Sequence, residues 1–128
     1  MEKKIIIQSE KIPAAIGPYS PAVKIGKLVF ISGQLPVEPK SGDLTQGDIE
    51  KQTHQILNNL RALLELYSLK FENVVKTTVF LKNMENFSKF NSVYAQYFTD
   101  GFPARSCVEV VRLPKDAEIE IEAIALCD

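Results

Sequence analysis

Apolar positions along this chain recur with two different periods, and the switches between them divide it into elements. LVFIS (28–32) and VVKTTVFL (74–81) are short runs rich in β-branched and aromatic residues, as is KKIIIQ (3–8), and all three predict strands. From Ile49 to Tyr67 the spacing becomes helical: Ile49, Ile56, Leu57, Leu60, Leu63, Leu64 and Tyr67 share one face. Asp48 stands where an N-cap belongs, with Glu50 in the first turn. NFSKFNSVYAQYF (86–98) predicts a second helix with Phe87, Phe90, Tyr94 and Phe98 inward, and strands follow at 104–111 and 118–126. IPAAIGPYSPA, with three prolines and a glycine, reads as an ordered but irregular arm, and GQLPVEPKSGD as a second loop.

The resulting order, β-β-α-β-α-β-β, specifies an α+β domain: a mixed sheet with both helices packed on one face. The other face is left without a layer, so self-association is expected, with Cys107, Val111 and Ile124 among the groups it would cover.

Strand alternation then separates candidate chemistry from core. In strand 104–111, which includes most of PARSCVEV, Arg105, Cys107, Glu109 and Val111 share one face, while Ala104, Ser106, Val108 and Val110 on the other read as core. In the last strand Glu118, Glu120 and Glu122 oppose Ile119, Ile121, Ala123 and Ala125. If both apolar faces meet the helices, Arg105, Cys107 and the glutamates emerge together on the uncovered face. An arginine enclosed there suits a carboxylate clamp, its planar fork taking both oxygens. A nearby enclosed glutamate suits a water-activating base. The same pattern also fits a plain salt bridge from Arg105 to Glu120 or Glu109 across a subunit contact. Cys107 reads as a packed thiol without a histidine partner, and His54 as a boundary residue of the first helix. Asn91, on the aromatic face of the second helix, reads as an amide satisfied by backbone.

Composition narrows the classes. At 128 residues, 45% hydrophobic, 24% charged and net charge -1, the chain is one globular domain without a general electrostatic pull toward nucleic acid. MEKKIIIQSE holds only three consecutive apolar residues, too few for a signal-peptide core or a membrane span, so the cytoplasm is the expected location. Cys107 and Cys127 fit reduced thiols rather than a disulfide framework, and no cluster has the spacing of a metal site.

Several blocks, in order, carry a family resemblance: PAAIGPYSPA, ISGQLPV, GDIEKQTHQILNNL, VVKTTVFLKNM and FPARSCVEVVRLPKDAEIEIEAIA. Together they resemble the RidA family, also called YjgF, of reactive-intermediate deaminases, over nearly the whole chain. The resemblance implies a chorismate-mutase-like fold, a homotrimer with sites in clefts between subunits, and hydrolysis of 2-aminoacrylate, 2-iminopropanoate and 2-iminobutanoate to 2-oxo acids without a cofactor. It assigns Arg105 to the substrate carboxylate and Glu120 to water, with Tyr19, Ser32, Gly33, Asn91 and Cys107 lining the cleft. It also implies that the last strand inserts between earlier ones, which would set Arg105 and Glu120 about 10 Å apart across the sheet. Pro21, where the family commonly has a polar residue, constrains the arm beside Tyr19. Nucleic acid as a partner, or ribonuclease activity, finds no basic stripe to support it.

Overall fold

The computed structural model describes residues 3–128. One sheet contains β1 (Ile5–Ile6), β2 (Ala22–Ile25), β3 (Leu28–Gln34), β4 (Val74–Leu81), β5 (Ala104–Glu109) and β6 (Ile119–Leu126), with helices α1 (Ile49–Leu66) and α2 (Phe87–Tyr94). Its spatial order is β1-β2-β3-β6-β4-β5. β4 and β5 run parallel and the other neighbouring pairs antiparallel.

This order follows from handedness. β3 and β4 are each antiparallel to β6, hence parallel to one another, so β3-α1-β4 and β4-α2-β5 are successive crossovers in the same direction. A shared right-handed sense puts both helices on the same face. The first crossover skips one slot, and the last strand fills it. β5 and β6 therefore form no hairpin.

The predicted first strand shrinks to Ile5–Ile6, both exposed, and β2 is an element that the periodicity did not predict. Ile25 pairs with Leu28 around Gly26-Lys27, a two-residue hairpin in which only the first central residue has positive φ, at 58° for Gly26. Glycine meets that requirement without a Cβ penalty. The second helix ends at Tyr94 rather than Phe98; Phe98 is buried from the turns that follow.

α1 begins where Asp48 Oδ1 accepts from the Lys51 N–H at 3.0 Å. Its predicted stripe is buried apart from Tyr67, which is half-buried. Val29, Ile31, Val79, Leu81, Ile121 and Ala123 meet it from the sheet. A smaller cluster of Leu35, Val37, Leu113 and Ala117 fixes the loop after β3. Buried Asn59 anchors this loop to α1, donating from Nδ2 to the Val37 and Leu35 carbonyls at 2.8 and 3.2 Å.

The opposite sheet face carries Leu28, Phe30, Val108 and Leu126, all exposed, together with Glu120 and Glu122. The uncovered, partly apolar face is thus present, but Cys107 does not belong to it, and Val111, 91% exposed, lies past the end of β5. Among the described residues, no helix is long and apolar enough to cross a membrane.

Candidate active site

The predicted residues gather in two places rather than one. Thr77 of β4 pairs with Arg105 on one side and Ala123 on the other, and Thr77 and Ala123 are buried against the helices. That row, Arg105 included, faces the helix layer. Phe80 pairs with Glu120 and Val108, and this row faces the open side. Thr77 and Phe80 are three positions apart; an odd offset along a strand means opposite faces.

The expectation that Arg105, Cys107 and the glutamates emerge on one uncovered face is therefore corrected: Arg105 and Cys107 lie under α2, and Glu120 and Glu122 on the open face. The residues read as core in β5, Ala104, Ser106 and Val108, are exposed instead. Physically, a guanidinium can face an aromatic helix without an ion partner, because ring faces attract it. A small Ala/Ser/Val face can then remain open. β4 does intervene between β5 and β6, as the inserted last strand requires.

Around Arg105, Nη1 donates to Asn91 Oδ1 at 2.9 Å, and Cζ sits 5.5, 5.2 and 5.0 Å from the ring centroids of Phe87, Phe90 and Tyr94. Asn91 thus serves a side chain rather than backbone. Arg105 has no carboxylate within ion-pair distance among the described residues. Within one chain Glu109 accepts from the Met84 N–H at 2.8 Å, and Glu120 faces the other side of the sheet. A guanidinium has five N–H donors. Beside it opens a depression lined by Asn91, Tyr94, Ala95, Phe102 and Pro103. Cys107 shares this face two residues on; burial pushes its thiol up against the weaker opposing pull of Arg105, which keeps it protonated rather than nucleophilic.

The second group centres on Glu120. β3 shifts register against β6 between Ile31 and Gln34, and Ser32 and Gly33 lie in that irregularity. Gly33 packs on the Glu120 carboxyl so closely that a Cβ there would lie 2.6 Å from Oε2. Ser32 ties the N-terminal arm to β3, its N–H donating to the Pro21 carbonyl at 3.0 Å and its Oγ to the Ser20 carbonyl at 2.7 Å. Pro21 thus fits the arm through its carbonyl. Tyr19, 45% exposed, accepts from the Ile16 N–H at 3.2 Å, closing the arm on itself. Burial, and secondarily Glu122, raises the Glu120 carboxyl above the ordinary glutamate range.

Strand rows, arm and crossovers coincide with a known family. The family model described as Endoribonuclease L-PSP matches residues 9–127. The chain belongs to the RidA (YjgF) family. A RutC family protein of Pyrococcus horikoshii is 52% identical over 122 residues, covering 95% of this chain and 97% of its own. The 2-iminobutanoate/2-iminopropanoate deaminase of Escherichia coli K12 is 50% identical over 123 residues, covering 94% and 95%. Among solved structures, the YjgF gene product of E. coli superimposes with TM-score 0.90 at 48% identity, covering 95% and 98%, and E. coli TdcF with bound serine with 0.91 at 41%, covering 97% and 99%.

Within this RidA-family chain, sequence reasoning missed the aromatic setting of Arg105. Phe87, Phe90 and Tyr94 were legible as an inward stripe, but what that stripe meets depends on which face of β5 turns inward. Thr77, whose Oγ1 lies 2.7 Å from the Tyr94 hydroxyl, carried no signal in a run of β-branched residues. His54 behaves as a boundary residue, with Nδ1 2.6 Å from the Tyr97 hydroxyl.

Proposed function

We propose that this protein hydrolyses small 2-imino acids, 2-iminobutanoate and 2-iminopropanoate with its 2-aminoacrylate tautomer, to 2-oxo acids and ammonia, at sites shared between the chains of a homotrimer. The observation that carries the reading is Arg105: a half-buried guanidinium held by a neutral amide and aromatic rings, without a carboxylate partner among the described residues, beside an open depression. Such a group is complementary to a carboxylate supplied from outside. Relatives 50% identical over nearly their whole length and named for this deaminase support the same chemistry.

The opposed faces support a site shared between chains. Arg105 stands on the edge strand under α2 and Glu120 on the open face, so one chain cannot apply both to a small molecule. The rim of one chain set against the open face of the next brings them together. A rim-to-face contact is heterologous and closes into a ring, for which the family resemblance implies three copies. The same contact covers Leu28, Phe30 and Val108.

In this site Arg105 holds the substrate carboxylate and orients the C=N carbon toward water beside Glu120. Glu120 takes a proton from the water as its oxygen bonds to that carbon, and that proton passes on to the imine nitrogen, giving a carbinolamine and returning Glu120 to its carboxylate. The C–N bond then breaks; nitrogen leaves as ammonia with the hydroxyl proton, and the carbonyl of the 2-oxo acid remains. The imine carbon is already electrophilic, so orientation and one proton acceptor suffice. The net charge of -1 offers no electrostatic footprint for tracking RNA phosphates.

Release of 2-oxobutanoate from freshly generated 2-iminobutanoate, followed in a coupled assay, should run well above spontaneous hydrolysis with purified protein. Binding of 2-oxobutanoate without rate enhancement would instead leave a carboxylate-binding protein. Gly33→Ala probes the Glu120 pocket separately. The new Cβ displaces a flexible carboxylate end rather than backbone, so the melting temperature should barely move. Activity should nevertheless fall by about 10- to 100-fold, because small misplacements of a reacting group carry that penalty. Unchanged turnover in Gly33→Ala would remove Glu120 from the reaction.

A further inference from the structure

Phe87, Phe90, Asn91 and Tyr94 occupy i, i+3, i+4 and i+7 of α2 and so form one continuous helix face. That face lies on Arg105, with the ring centroids 5.5, 5.2 and 5.0 Å from Cζ and Asn91 Oδ1 2.9 Å from Nη1. Tyr94 is fixed in turn, its hydroxyl 2.7 Å from Thr77 Oγ1. Thr77 is also the residue that pairs with Arg105 across the strands, so ring and guanidinium are referenced to the same point of the sheet.

The chemistry of this arrangement differs from that of an ion pair. A carboxylate partner would occupy the in-plane donors of the fork and compete with any incoming anion. Aromatic quadrupoles attract the cation while leaving most of those donors free. An arginine held only by water would keep its rotamer freedom and lose it on each binding event. Asn91 takes one donor and fixes the rotation of the fork; the rest remain available to the depression lined by Ala95, Phe102 and Pro103.

We propose that Phe87, Phe90 and Tyr94, together with Asn91, are positioning residues that hold Arg105 as a preformed, anion-free carboxylate clamp, so that Asn91 acts through Arg105 rather than on the substrate. The clamp's target rests on the imine-deaminase reading; the hold on the guanidinium does not, and the two are tested separately. The cradle also specifies a planar cation at position 105, because an ammonium cannot both lie along the rings and present a fork.

The first measurement is nuclear magnetic resonance of the Arg105 guanidinium in the intact, ligand-free protein. Slow Nη rotation and a ring-current-shifted Nε–H are expected, with rotation becoming fast in Asn91→Ala and the ring shift shrinking in Phe87→Leu, a half-buried site more tolerant of change than Phe90. The second is calorimetric titration with 2-oxobutanoate, in which each variant should bind about 3- to 10-fold more weakly than wild type. A third arm uses Arg105→Ala, where millimolar methylguanidinium should restore part of the 2-oxobutanoate binding, and Arg105→Ala/Phe87→Leu, where it should not. A freely rotating guanidinium in wild type, or full-strength 2-oxobutanoate binding in both single variants, would overturn the proposal. A held guanidinium in a protein that binds no 2-oxobutanoate would confirm the cradle and count against the deaminase reading instead.

Discussion

Arg105→Ala should lower kcat/KM for 2-iminobutanoate by about 100- to 10,000-fold, chiefly through KM. The figure follows from two charge-assisted hydrogen bonds of about 1.5–3 kcal/mol each, with about 1.4 kcal/mol per factor of ten. An interaction made equally with substrate and transition state appears mainly in KM; a smaller fall in kcat reflects lost orientation. Folding should suffer far less, since Phe90 and Tyr94 stay packed on one another and Tyr94 on Phe98, and Asn91, half-buried, can turn to solvent. Arg105→Lys should recover little activity, as an ammonium restores charge without the fork. Steady-state kinetics beside thermal melts checks both parts. A variant that turns over like wild type would remove the clamp.

Glu120→Gln should be the mirror case: kcat falls by about 100- to 10,000-fold, the range for loss of a general base, with KM nearly unchanged. Its pH behaviour supplies a second signature. Burial raises the Glu120 carboxyl above its ordinary value, so the acid limb of the wild-type kcat/KM profile should have its inflection above the usual glutamate range and disappear in Glu120→Gln. The stability effect has the opposite sign. Because the folded-state pKa is raised, this group favours folding below the unfolded-state carboxyl pKa, and that contribution is lost as pH rises through the folded value. Above that value the wild type carries a half-buried ionised carboxylate that Gln lacks, and Glu120→Gln should unfold at higher denaturant concentration there. More stable but inactive is the expected combination. Reduced stability on the alkaline side of the acid limb with unchanged kcat would contradict both the electrostatics and the role.

Much of the fold was legible because its strongest signals are local. The α1 stripe from Ile49 to Leu64, the Asp48 cap and the alternation of β6 all follow from periodicity within one element. β2 escaped because Ala22–Ile25 is only four residues long and follows a proline-rich arm, although the Gly26 turn marked it. The place of β6 is non-local: it fills a slot left by the β3-α1-β4 crossover, which no pattern within 118–126 encodes.

The site divides along the same line. Alternation identified Arg105 and Cys107 as sharing a face, and Glu120 and Glu122 as sharing a face, and both pairings hold. Which face of β5 turns inward was assigned from hydrophobicity, and that assignment fails because the aromatic face of α2 accepts a guanidinium where a Val or Ala was expected. Gly33 illustrates a signal of another kind. Its lack of a side chain makes room for the Glu120 carboxyl, a requirement set by a strand more than eighty residues away.

The shared site is tested most directly by mixing the two inactive variants. Arg105→Ala and Glu120→Gln chains, unfolded together in equal amounts and reassembled, should regain about one quarter of wild-type activity, since a contact between randomly chosen chains has that chance of presenting an intact Arg105 and an intact Glu120. Mixed assemblies that contain both chains yet stay inactive would contradict a site built from the rim of one chain and the open face of the next.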